Sequence, residues 1–137
     1  MAIIIPAFNE QENIDKVIKG ISGDRKIIVV DDGSKDNTAR IAKKQAHKTI
    51  SLKENKGKAF ACHTGVKNSK DENNIFMDGD GQHDPKDISK IEKHMDDFDL
   101  VLGVRNMGDI PVHRKITNNL ARLAIKSMTD KKFTDVL

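Results

Sequence analysis

The sequence predicts an α/β sandwich, a central and mostly parallel β-sheet flanked by helices. Three observations carry that prediction. Short apolar runs alternate with amphipathic segments along the chain, the runs are continuously apolar, and polar clusters follow directly after three of them. Repeated strand–helix alternation builds a sheet covered by helices, and strands covered on both faces read as unbroken Ile/Val runs. In such sheets ligands bind beyond the carboxyl ends of the strands. The clusters at 6–10, 31–34 and 78–83 are therefore expected to converge on one edge.

Taken in order, strands are predicted at 2–6, 26–30, 49–52, 74–77 and 99–104, each bounded by Asp, Gly or Asn. Ile14, Val17, Ile18 and Ile21 follow the spacing of one buried helix face. Asn9 with Glu12 three positions on predicts the N-terminal cap of that helix. A second helix is predicted over about 36–47 and a third over about 57–68. Pro85 suits the first turn of a fourth carrying Ile88, Ile91 and Met95. A fifth, about 113–128, places Ile116, Leu120, Leu123, Ala124 and Met128 on one side. The 137 residues fit one domain, 1–137, and the apolar residues at its end predict a domain cut short at the C-terminus.

Composition excludes several classes. With 4% aromatics and neither Trp nor Tyr, the chain offers no stacking platform for single-stranded nucleic acid. The 24 basic and 21 acidic residues form no block of like charge, so no nucleic-acid partner is implied. Cys62 is the only cysteine, which removes any internal disulfide and any cysteine-based zinc site. His47, His63, His94 and His113 lack metal-ligand spacing, whereas His83 sits inside the 78–83 loop, either as a direct ligand or as a support behind the ligands. No stretch approaches the length of a membrane span. A cytoplasmic location, or a peripheral one on the cytoplasmic membrane face, is the expectation.

Asp78-Gly79-Asp80-Gly81-Gln82-His83 is the most informative stretch. Two carboxylates at i and i+2 on a glycine-rich turn can face one cation, and oxygen ligands suit Mg2+ or Mn2+ completed by a diphosphate. A calcium loop counted from Asp78 would need Gly and Glu where His83 and Ser89 stand. Asp31-Asp32-Gly33-Ser34 can accept hydrogen bonds from a base or ribose, though the same residues also suit a plain turn. Asn55-Lys56-Gly57-Lys58 opens the third helix, where the helix N-terminus and two lysines attract anions. Neither a P-loop nor a dinucleotide fingerprint is present.

The clusters in this order resemble family 2 glycosyltransferases, which have the GT-A (Rossmann-like) fold. The similarity is greatest to the dolichol-phosphate mannosyltransferase or polyprenyl-phosphate glycosyltransferase branch. PAFNE at 6–10, VVDDGS at 29–34, NKGKAFA at 55–61 and MDGDGQHDP at 77–85 carry the resemblance. It implies that Pro6, Phe8 and Glu10 line a nucleotide pocket, with Asp31 or Asp32 on base or ribose. Lys56, Asp78 and Gly79 would join the nucleotide-sugar site. Asp78, Asp80 and Gln82 would hold Mg2+ or Mn2+, and Asp80, Arg105 and Arg114 would serve catalysis, the arginines on donor or acceptor phosphates. The implied activity is inverting, metal-dependent transfer from a nucleotide-sugar such as GDP-mannose or a UDP-sugar to a polyprenyl (dolichyl) phosphate at a membrane surface. A family 2 transferase acting on a sugar hydroxyl and a non-catalytic nucleotide-sugar-binding module are the alternatives.

Overall fold

The computed structural model describes residues 1–103. Met1–Asp99 form one compact unit. Four of the predicted strands are present: β1 (Ala2–Ala7), β2 (Lys26–Asp31), β3 (Lys48–Ser51) and β4 (Asn74–Phe76). They pair in parallel in the order β3-β2-β1-β4. The run predicted at 99–104 forms no strand over 99–103, because an apolar stretch becomes a strand only where a neighbour supplies the ladder. The helix predicted at 113–128 lies outside the described residues.

Every residue of β1 is buried, because it sits between β2 and β4 and carries helices on both faces. Ile3, Ile5 and Ala7 face α1 (Ile14–Gly20) and α2 (Thr38–Ala42) in the larger core. Ala2, Ile28 and Val30 face the other way, toward Ala61 of α3 (Lys58–Ser69). The period-2 geometry of a strand divides the two sets. At Gly65, α3 comes so close that a Cβ would stand 2.3 Å from Cγ2 of Ile4. Among the described residues no helix is long and apolar enough to cross a membrane.

Three helix expectations are corrected. Asn9 does not cap α1: it has φ +56° and its side chain accepts the Lys35 amide at 2.9 Å. The turn before α1 is instead closed by the Glu10 carbonyl, which accepts from the amides of Asn13 and Ile14. α2 is shorter than expected, since Lys43 and Lys44 are exposed and give it no apolar face to extend. Ahead of α4 (Ile88–Glu92), Pro85–Asp87 form a 3-10 turn capped by Asp84, which accepts from the Lys86 amide.

Pro6 stands inside β1 opposite Val30 of β2. The Ile4 carbonyl accepts the Met77 amide, so Ile4 presents its polar groups to β4, and by alternation Pro6 faces the same way. Having no N–H to donate, Pro6 coincides with the end of the β1–β4 ladder, whose register stops at Ile4–Phe76. Beyond it the chain still runs beside β1 without a ladder: a Cβ on Gly79 would lie 3.3 Å from Cβ of Ala7 and 3.4 Å from the Pro6 carbonyl oxygen.

Candidate functional site

The strand order reverses at β1: β2 and β3 follow on one side of it and β4 lies on the other. A cavity of about 320 Å³ lies beyond the carboxyl ends of these strands. Pro6, Ala7, Phe8 and Glu10 form one wall, Asp32 and the start of α3 a second, and Asp78, Gly79 and Asp80 a third. All three polar clusters thus meet at one edge, as the alternation predicts. Among the described lining residues, Glu10, Asp32, Asp78 and Asp80 carry carboxylates, whereas Lys58 alone carries a cation.

The walls are tied to one another by side chains accepting backbone amides. Ser34 Oγ accepts from Asn9 N–H at 2.9 Å, and Thr38 Oγ1 accepts from Glu10 N–H at 2.7 Å. Asp32, only 3% exposed, accepts the amides of Lys56 and Gly57, one on each oxygen, both at 2.8 Å. At Gly33, φ is +74° and a Cβ would lie 2.6 Å from the Glu54 carbonyl carbon. Only glycine lets the 31–34 turn pass so close to the loop leading into α3.

These contacts revise part of the expectation. The amides ahead of α3, expected to attract an external anion, already hold an internal one, the Asp32 carboxylate. Asp31 does not line the cavity; it is buried and accepts the Ser34 amide at 3.2 Å. Lys56 also lies off the cavity, with Nζ 3.7 Å from Glu54 and 5.2 Å from the Phe60 ring centre. Lys58 is the lysine that enters, and its ammonium meets both oxygens of Asp78, at 2.6 and 2.8 Å. The sequence marked this lysine pair at the helix start but could not show which of the two faces the carboxylates. Asn55 and Ala61 also join the lining without having been singled out as site residues.

The Asp78–Asp80 loop is braced from within. His83 Nδ1 accepts the Asp78 amide at 3.3 Å, and Asp80 Oδ1 accepts the Gln82 amide at 2.9 Å. Gln82 itself is exposed and outside the cavity lining. No three His, Cys, Asp or Glu side chains cluster into a metal cage among the described residues. Cys62, one turn beyond Lys58, is half-buried, and burial pushes its thiol up. Arg105 and Arg114 lie outside the described residues.

Comparison with known proteins follows the same lines. The sequence model of glycosyl transferase family 2 matches residues 2–135. An uncharacterized protein of Methanocaldococcus jannaschii is 43% identical over 90% of this chain and 59% of its own length. The UDP-N-acetylglucosamine–dolichyl-phosphate N-acetylglucosaminyltransferase of Methanococcus voltae is 32% identical over 85% of this chain and 58% of its own. Among solved structures, glucosyl-3-phosphoglycerate synthase from Mycobacterium tuberculosis, in complex with Mn2+, UDP and glucosyl-3-phosphoglycerate, superposes with a TM-score of 0.60. It is 25% identical, over 69% of this chain and 38% of that one. The chain spans between 36% and 59% of the length of these and other curated relatives it matches.

Proposed function

Because the chain belongs to glycosyl transferase family 2, we propose that it forms the donor-binding part of an inverting transferase. That enzyme moves a sugar from a nucleotide-sugar to a polyprenyl phosphate. One observation carries the reading: a cavity at the sheet's carboxyl edge is lined by four carboxylates and one lysine. An anionic diphosphate is repelled by such a lining unless a cation comes with it. Asp78 and Asp80 supply hard oxygen ligands from two positions of a braced turn, too few for a closed cage. That suits an ion such as Mg2+ or Mn2+, which takes a few carboxylates and completes its shell with phosphate and water. The structural neighbour solved with Mn2+ and UDP supports the same choice.

Asp80, with Asp78 and Gln82 beside it, would hold the ion, which when bound neutralises the diphosphate and eases departure of the nucleoside diphosphate. Pro6, Phe8 and Glu10 would bound the nucleoside. Asp32 would act mainly by fixing the 55–57 loop against the 31–34 turn. A phosphate acceptor is already anionic at neutral pH, so attack on the anomeric carbon from the opposite face needs no general base. Arg105 and Arg114 are assigned to the phosphates through their forked guanidinium groups.

Thermal-shift titration with GDP-mannose, UDP-glucose and UDP-GlcNAc, each with and without Mn2+, tests the donor half. One donor should raise the melting temperature only when Mn2+ is present, and Asp80→Asn should abolish that rise. A rise that is independent of Mn2+ and survives Asp80→Asn would overturn the assignment. Lipid glycosylation by the full-length protein tests the acceptor half.

A further inference from the structure

We propose that Lys58 is a resident counter-ion for Asp78 that makes divalent-ion binding depend on the diphosphate. The inference rests on the reading of Asp78 and Asp80 as ion-holding residues. In the structure the Lys58 ammonium bridges both Asp78 oxygens, at 2.6 and 2.8 Å. An ion approaching alone therefore meets a carboxylate already neutralised and a positive charge beside it. Lys58 opens α3 and is 64% exposed along its side chain, so its head can leave Asp78 without disturbing the core. It is also the one cation among the described lining residues. A diphosphate entering with the ion gives that ammonium a second anionic partner and releases Asp78. Ion and nucleoside diphosphate then strengthen each other's binding, each by the same factor. Lys58 is in this sense a positioning residue, acting through Asp78.

The test is Mn2+ binding by the full chain, followed by the electron-spin signal of the free ion, alone and with UDP or GDP. Wild-type protein should take up Mn2+ weakly by itself and more tightly with one nucleotide. Lys58→Met should tighten binding of Mn2+ alone by about fivefold or more and shrink the nucleotide's enhancement correspondingly. Lys58→Arg should keep the wild-type pattern, and so should Lys56→Met, whose ammonium lies off the cavity. Melting curves confirm that each variant is folded. If Asp80→Asn removes nucleotide-dependent uptake while Lys58→Met leaves Mn2+ binding unchanged, the counter-ion role is wrong and the site stands. If Asp80→Asn binds Mn2+ with nucleotide as wild type does, the site reading fails, and this inference with it.

Discussion

Asp32 shows how a single side chain can be legible as to place and illegible as to task. Its position after an apolar run put it at the rim of the sheet, and it does line the cavity. Its hydrogen-bond partners, the amides of Lys56 and Gly57, lie 24 and 25 positions away in sequence, where no local pattern could reveal them. Two charge-assisted bonds to a buried carboxylate predict that Asp32→Ala costs about 2–4 kcal/mol, since the amides of Lys56 and Gly57 lose their charged acceptor. Urea denaturation measures this. A cost no larger than that of an exposed control such as Asp24→Ala would show that the loop is held by something else. Asp78 teaches the converse: the spacing Asp78-Gly79-Asp80 is visible in sequence, but the lysine that neutralises it is not.

At the level of elements, sequence pattern served strands better than helices. The four strands begin and end within a residue of the predicted bounds because unbroken Ile/Val runs leave little choice. The long third helix was equally clear. The short helices were less so: their extent depends on which apolar residues find a core, and Lys43 and Lys44 find none. α3 lies close upon β1, made possible by Gly65 above Ile4. Gly65→Ala drives a methyl into Ile4 and should destabilise the protein by about 1–3 kcal/mol. Because Lys58 and Ala61 ride on the same helix, donor affinity should fall with it. A variant with wild-type stability would mean that α3 can lift off the sheet freely.

For the molecule as a whole, parallel pairing followed from the alternation, but the strand order did not. Nothing local says that β1 lies between β2 and β4. Nor does local pattern announce the pair Arg25–Glu92, at 2.6 Å, which ties the entrance of β2 to α4 across 67 positions. The Arg25 guanidinium holds the Glu92 carboxyl below its ordinary value of 4.5. That stabilisation is complete above the ordinary value and disappears as pH falls through the lowered one. Stability measured by urea melts should thus drop below about pH 4.5 more steeply in wild type than in Glu92→Gln; parallel curves would show the pair to be idle. Proline at position 6 has a longer reach than any of these. The β1–β4 ladder is a zipper whose next tooth was never cast, whatever the bulk of the surrounding side chains. Pro6→Ala would put the missing tooth back and let the sheet gain a rung along one wall of the cavity.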